Sequence, residues 1–343
     1  MDAVSETTVI TATMPEPFAG WFAGRGWRPH GHQLEMLDAA REGQSTLLIA
    51  PTGGGKTLAG FLPSLVEIAR EPRPGLHTLY ISPLKALAVD IHRNLEIPIT
   101  EMGLAVRAES RTGDTPQSKR LRQRRDPPHI LMTTPESLAL LLSYDDAPRL
   151  FAGLSCVIVD ELHALAGNKR GDLLSLGLAR LSSLAKKARF VGLSATIAKP
   201  ERLARWLSPG PVRRITGVAA AEPDISILVP EGPMPWAGHS GLHAIGAVYR
   251  AIKQAGTTIV FVNTRAFAEL IFQALWRVND DNLKIALHHG SLDRQQRRKV
   301  EAAMARGDID AVVATSSLDL GVDWGAVDLV IQVGAPKGAS RLI

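Results

Sequence analysis

The segment Ala50-Pro-Thr-Gly-Gly-Gly-Lys-Thr57 constrains this chain more than any other. An apolar run, Thr46-Leu-Leu-Ile-Ala50, precedes it, and a segment with helical apolar spacing, Leu58-Ala-Gly-Phe-Leu-Pro-Ser-Leu-Val66, follows it. Strand, glycine-rich turn and helix form the context that a phosphate-binding loop needs. Gly53, Gly54 and Gly55 let the backbone bend until successive N–H groups face one anion, and the helix start adds the positive end of its dipole. Thr52 and these glycines then cradle the phosphates, Lys56 reaches the outer ones, and the Thr57 hydroxyl holds Mg²⁺. The expected ligand is a nucleoside triphosphate with Mg²⁺.

At 343 residues the chain exceeds one ordinary core, so two domains are expected. Net charge is +5, and the basic residues gather in two stretches, Lys119, Arg120, Arg122, Arg124 and Arg125, and Arg294, Arg297, Arg298 and Lys299. Beside a triphosphate site such clusters suggest a polyanion partner. The single cysteine, Cys156, lies in the apolar run Ser155-Cys-Val-Ile-Val159 and reads as a buried strand residue. One cysteine allows no intrachain disulfide and argues against a zinc site built on cysteines. No segment approaches the roughly 18 apolar residues of a spanning helix, and Met1-Asp-Ala-Val-Ser-Glu6 is acidic. The expectation is a cytoplasmic protein of a reducing compartment with no membrane partner.

Apolar runs at Leu47–Ala50, Thr78–Ile81, His129–Met132, Val157–Val159 and Phe190–Leu193 alternate with helical segments. That rhythm predicts βα units around a parallel sheet buried on both faces. Each run ends in polar or glycine-rich residues, and ligands of open α/β sheets sit at the carboxyl ends of strands, so these loops are expected to share a cleft. From 209 to 236 the rhythm breaks, with prolines at 209, 211, 223, 230, 233 and 235. This is the expected linker, with Ile225–Val229 a candidate strand inside it. The pattern resumes at Thr258–Val262, Lys284–Leu287, Ala311–Ala314 and Leu329–Val333. The reading is a tail over 1–16, a first domain over 17–208 and a partial second domain over 237–343.

Asp160-Glu161-Leu162-His163 follows the apolar strand Val157-Ile-Val159. Two carboxylates at a strand end can divide metal-assisted phosphate hydrolysis, Asp160 binding Mg²⁺ and Glu161 orienting and deprotonating the attacking water. Ahead of the loop stands Trp27-Arg-Pro-His-Gly-His-Gln33. The Gln33 amide offers the donor and acceptor that match the N6 and N7 edge of adenine, and an aromatic upstream can stack on the base.

These residues carry a family resemblance. Gln33, Gly55-Lys56-Thr57, Ser82-Pro-Leu-Lys-Ala-Leu87, Thr133-Thr-Pro-Glu-Ser137, Asp160-Glu-Leu-His163 and Ser194-Ala-Thr196 occur in the order of a superfamily 2 DEAD/DEAH-type helicase. Val260-Phe-Val-Asn-Thr-Arg265, His288-His-Gly-Ser291 and Ala314-Thr-Ser-Ser-Leu-Asp-Leu-Gly-Val-Asp323 continue the series. Trp21-Phe-x-x-Arg-Gly-Trp27, Lys169-Arg-Gly171 and Gln332-Val-Gly-Ala-Pro-Lys-Gly-Ala-Ser-Arg341 look most like the Lhr-type group, in particular its ligase-associated DEXH-box branch. The resemblance implies two tandem RecA-like domains with parallel sheets, the second incomplete at its C-terminus. It implies an ATP-driven motor moving 3′ to 5′ on single-stranded DNA, with DNA-repair proteins as possible partners. Carried over by motif, Gly321 and Asp323 add to the ATP site, His163 joins the coupling residues, Ser194 and Thr196 couple the phosphate site to domain closure, and Thr315 and Asp319 link ATP to the strand. Nucleic-acid contacts fall to Pro83, Lys85, Arg111, Gly113, Thr134 and Pro135, then to Asn263, Thr264, Arg265, His289 and Thr315. Main-chain amides and hydroxyls in such a set suit phosphates rather than base edges, so low sequence specificity is expected. His288 and His289, between a strand and Gly290, read as part of a strand-contact loop rather than a metal site.

Helicases of this superfamily carry two arginines in a Gln-Arg-x-Gly-Arg element after the last of these motifs, and the sequence ends at Ser340-Arg341-Leu342-Ile343, where that element would begin. The expectation is a motor core that binds ATP and Mg²⁺ with impaired hydrolysis, loss of such a charge reducing turnover by about 10³ to 10⁵. Two other readings stay open: an ATP-switched module that grips single-stranded nucleic acid without productive unwinding, and a phosphate-loop ATPase acting on no nucleic acid, against which the second-domain motifs weigh.

Overall fold

The computed structural model describes residues 14–51, 54–83, 95–195, 199–217, 224–230, 236, 241–315 and 327–335. The chain divides into two units, Met1–Ala220 and Ala221–Ile343. In the first, β1 (Ser45–Ile49), β2 (Thr78–Ile81), β3 (Ala108–Arg111), β4 (Ile130–Thr133), β5 (Cys156–Val159), β6 (Arg189–Ser194) and β7 (Val212–Thr216) make one parallel sheet in the order β3-β4-β2-β5-β6-β1-β7. Around it lie α1 (Phe18–Gly24), α2 (Gly31–Arg41), α3 (Lys56–Arg70), helical residues 95–101 as α4, α5 (Gln117–Arg125), α6 (Pro135–Leu142), α7 (Ala147–Leu150), α8 (Leu162–Leu165), α9 (Lys169–Leu184) and α10 (Pro200–Leu207).

The central strands read as unbroken apolar runs because both sheet faces are covered. Leu47, Leu79, Leu131, Val157 and Phe190 join a core with Leu138 of α6, Leu178 and Leu181 of α9 and Leu203 of α10. Their strand neighbours point to the opposite face, where α3 packs. Gly60 makes that approach possible, since a Cβ there would come within 2.9 Å of Leu193 Cδ1. Cys156 is buried in β5, as its surroundings in the sequence predict.

The strand order positions the site. β6 lies between β1 and β5, so the segments leaving these three strands, Ala50 to Thr57, Asp160 to His163 and Ser194, emerge side by side. β2, β4 and β3 continue in the other direction and carry Ser82-Pro83, Thr134-Pro135 and Arg111 at their carboxyl ends. One sheet thus separates the candidate phosphate chemistry from the candidate strand-contact loops.

Two parts of the sequence reading need correction. Residues 209–236 are not all linker: Val212–Thr216 pairs residue for residue with Ser45–Ile49 as the edge strand β7, so the first sheet runs beyond 208. Arg213 and Arg214 in its middle hide it from a search for apolar runs. Ile225–Val229 forms no strand; the segment has no regular structure and Ile227 is 88% exposed. β3, Ala-Glu-Ser-Arg, is a second polar edge strand that apolar patterning does not reveal.

In the second unit β8 (Thr258–Phe261), β9 (Ile285–His288), β10 (Ala311–Ala314) and β11 (Leu329–Gln332) form a parallel sheet in the order β11-β8-β10-β9. α11 (Ile245–Gln254) and α12 (Arg265–Arg277) cover one face through Val248, Ile252, Ile271 and Leu275 against Val260 and Val313. α13 (Arg294–Ala305) covers the other through Met304 against Ile259 and Val312. The alternation of Ile259 with Val260 and of Val312 with Val313 between the two cores is the period-2 signature of a strand buried on both sides. Among the described residues no helix is long and apolar enough to cross a membrane.

Candidate active site

The phosphate-loop candidate turns where the sequence requires it. Gly54 N donates to Pro51 O at 3.1 Å, and Gly55 takes φ +71° as the residue before α3, a conformation that costs a residue with a Cβ roughly 1–2 kcal/mol. Thr52 and Gly53 lie outside the described residues. Lys56 opens α3, is 8% exposed, and donates from Nζ to Ala50 O at 2.7 Å. Burial lowers its pKa, against which Glu161 and Asp160 hold its charge. Thr57 follows in the first helical turn, half-buried.

Gln33 is 2% exposed on α2. Its Oε1 accepts the His30 main-chain N–H at 2.9 Å, and its Nε2 lies 3.0 Å from where a Cβ on Gly55 would stand. The residue expected to read a base therefore also caps α2, a role signalled by its place three residues after His30. The upstream aromatics pack on one another: Trp27 meets Trp21 edge to face at 5.6 Å, and Arg25 sits 5.0 Å from both ring centres while pairing with Glu101.

Asp160 ends β5 with 3% exposure. Its Oδ1 accepts Glu161 N–H at 2.8 Å, and its Oδ2 accepts the Tyr80 hydroxyl. Burial, and then the neighbouring Glu161 charge, push its carboxyl up to about 6, against the pull of Tyr80, the backbone N–H and Lys56. Glu161 takes φ 48°, left-handed for a residue with a Cβ, and strain of that kind gathers at functional sites. Its pKa is raised by burial and opposed by Lys56. His163 bridges onward, Nε2 3.3 Å from Glu161 Oε2 and Nδ1 3.1 Å from Ser194 Oγ. Burial and Lys56 lower its pKa, favouring the neutral ring. Ser194 is fully buried at the end of β6. Lys56, Asp160, Glu161, His163 and Ser194 thus form one connected cluster, while Thr196, Asp319, Gly321 and Asp323 lie outside the described residues.

A divalent cation fits this donor set. Asp160 is an acceptor-only carboxylate held against its own desolvation, the condition that a hard cation relieves. Thr57 supplies a hydroxyl at the helix start.

The nucleic-acid candidates fall into two groups. Arg111 is 3% exposed and spends Nη1 on Arg120 O at 2.9 Å, so its side chain braces the loop to α5. Thr134 caps α6 by accepting Ser137 N–H, and Pro135 and Pro83 are buried, whereas Gly113 is exposed. In the second unit Thr264 caps α12, Asn263 Nδ2 donates to Ala335 O at 2.8 Å, and exposed Arg265 reaches Ser291 Oγ at 2.5 Å. His289 is 2% exposed, its Nε2 3.3 Å from Glu269 Oε1, and His288 Nε2 lies 3.0 Å from Glu301 Oε1. Thr315 is 8% exposed, its N–H on His288 O at 3.3 Å. Lys85 lies outside the described residues.

Three arginines of the first basic stretch are engaged internally. Arg122 pairs with Glu109 at 2.6 Å, Arg124 with Asp146 at 2.7 Å while lying 3.8 Å from the Tyr144 ring centre, and Arg120 binds Gly113 O. Arg120 and Arg122 thereby brace the β3 edge and Arg124 the start of α7, while Arg125 is exposed. On α13, Arg298 and Lys299 are exposed.

The DEAD/DEAH box helicase model matches residues 30–203, and the helicase conserved C-terminal domain model matches residues 242–343. A structure of the Mycobacterium smegmatis helicase Lhr, bound to single-stranded DNA and AMP-PNP, superposes with TM-score 0.82 at 39% identity, over 94% of this chain and 44% of that one. The ATP-dependent helicase Lhr-Core of Methanocaldococcus jannaschii is 36% identical over 97% of this chain and 42% of its own length. The Lhr helicase/uracil glycosylase of Escherichia coli is 36% identical over 95% of this chain and 26% of its own. The chain therefore spans less than half the length of these relatives. Both units have the RecA-like fold that the motif order implies.

Proposed function

Because the chain belongs to the DEAD/DEAH box helicase family, with Lhr-type helicases among its relatives, we propose that it is the motor core of an ATP-dependent DNA helicase. In this reading it hydrolyses ATP with Mg²⁺ and moves 3′ to 5′ along single-stranded DNA in DNA repair. The observation that carries the proposal is the cluster on three adjacent strands: Lys56 after β1, Asp160 to His163 after β5 and Ser194 ending β6.

Lys56 leaves Ala50 O for the outer phosphates, exchanging a main-chain acceptor for a stronger anionic one. Asp160 and Thr57 would hold Mg²⁺, which would supply charge neutralisation on the phosphates. Glu161 accepts the proton of the attacking water; its raised pKa makes it a better base than an exposed glutamate. Neutral His163 joins Glu161 to Ser194, so a change at the phosphates reaches β6 through a single ring. Strand phosphates meet Gly113 and the loops after β2 and β4 in one unit, and Arg265 with the loops after β9 and β10 in the other.

The M. smegmatis helicase, captured with single-stranded DNA and an ATP analogue, supports DNA and ATP. Direction is tested by displacing streptavidin from biotin on either end of a DNA strand. ATP-dependent displacement from the 5′ end supports the reading, and displacement only from the 3′ end, or from neither, overturns it.

A further inference from the structure

We propose that Tyr80 is a positioning residue for Asp160: its hydroxyl fixes the carboxylate in the orientation that receives Mg²⁺ and ties it to the helix rising from the phosphate loop. The residue is fully buried in β2, between Leu79 and Ile81, where the strand is otherwise an apolar run. A phenylalanine would fill the same volume against Phe61, whose ring stacks on Tyr80 at 4.9 Å and 22°, and would spare the desolvation of a hydroxyl. The hydroxyl is aimed across the sheet, from β2 to the end of neighbouring β5, onto Asp160 Oδ2.

Both carboxylate oxygens are therefore clamped, Oδ2 by Tyr80 and Oδ1 by the Glu161 main chain. Each keeps a second lone-pair direction for another partner. Without Tyr80 the carboxylate is held at one oxygen and can turn about its χ2 bond. Phe61 stands on α3, five residues after Lys56, so the stack joins the phosphate-loop helix to the metal-binding carboxylate through two rings. This is the logic of an outer-shell partner, which orients a metal ligand without touching the metal and whose loss lowers metal affinity by about 10- to 100-fold.

The proposal rests on the reading of Asp160 as a Mg²⁺ ligand, and the test separates the two. Tyr80→Phe keeps the ring and its stack. Mg²⁺ is titrated against the protein holding a fluorescent, non-hydrolysable ATP analogue, and Mn²⁺ affinity is measured in parallel by electron paramagnetic resonance. Analogue binding in EDTA reports whether each variant is folded. The expected result is a half-saturating Mg²⁺ concentration raised about 10- to 100-fold, with metal-free analogue affinity unchanged. In turnover, excess Mg²⁺ restores kcat without moving KM for ATP. Tyr80→Phe added to Asp160→Asn shifts the metal titration no further. If Asp160→Asn leaves metal affinity intact, the Mg²⁺ reading fails. If Asp160→Asn weakens it and Tyr80→Phe does not, Tyr80 is a core residue and the proposal is overturned. Loss of analogue binding in EDTA by Tyr80→Phe also overturns it, because the hydroxyl would then serve folding rather than the metal.

Discussion

Replacing Asp160 by asparagine should make the metal-free protein more stable while destroying its chemistry. A carboxyl held at about 6 rather than its ordinary 3.8 binds its proton more tightly in the folded state. The folded chain then loses stability as pH rises from about 4 to about 6, and above that the cost levels off near 3 kcal/mol. Asparagine carries no charge at any pH and can keep both contacts, its oxygen accepting Glu161 N–H and its amide donating to the Tyr80 oxygen. Part of the gain is offset because Lys56 loses an attractive partner. The expected net is about 1–3 kcal/mol at pH 8, or roughly 2–10 °C in the unfolding of a domain of this size. Urea and thermal unfolding in EDTA, without nucleotide, at pH 8 and pH 5 measure it. The advantage of the variant should shrink at pH 5, and saturating Mg²⁺ and ATP should narrow or reverse the order by stabilising the wild type more than the variant. A variant no more stable than wild type at pH 8, or a difference independent of pH, would refute the claim that Asp160 is a buried charge held for a cation.

Other substitutions test the remaining parts. Lys56→Ala removes the phosphate contact and should weaken ATP binding by about 10- to 100-fold, the scale of a lost charge-assisted bond, while single-stranded DNA still binds in a gel-shift assay. Gly55→Ala forces a side chain into φ +71° and sets a methyl 3.0 Å from Gln33 Nε2; ATP affinity measured by calorimetry should fall about tenfold or more. His163→Ala severs the link between Glu161 and Ser194; stimulation of hydrolysis by DNA should drop about tenfold, the worth of one such bond, with nucleotide affinity nearly unchanged. Arg111→Ala removes a buried brace and should lower urea-unfolding stability by about 1–3 kcal/mol, whereas a residue used only for strand contact would leave stability intact.

What was legible in the sequence follows from what local pattern can encode. The phosphate loop, Asp160-Glu161 and the apolar strands announce themselves because glycine, paired carboxylates and unbroken aliphatic runs have few alternative explanations. β3 and β7 stayed hidden because edge strands covered on one side carry arginine and glutamate that a central strand would exclude. Within the basic stretch of α5, Arg120, Arg122 and Arg124 have main-chain carbonyls, Glu109 and Asp146 as partners, at separations in sequence that no local pattern reveals. The same holds for Arg111, whose motif position suggests a strand contact while its burial makes it a brace. Tyr80 has no signal in sequence beyond a hydroxyl in an apolar run, and only the β2–β5 pairing brings it to Asp160.

The measurement that bears most directly on the central claim is Mg²⁺-dependent ATP hydrolysis with and without single-stranded DNA, wild type beside Glu161→Gln. DNA should stimulate turnover by the wild type, and the variant should still bind ATP but hydrolyse it at least about 100-fold more slowly, as loss of a general base requires. Equal turnover by the two proteins, or hydrolysis indifferent to DNA, would contradict it.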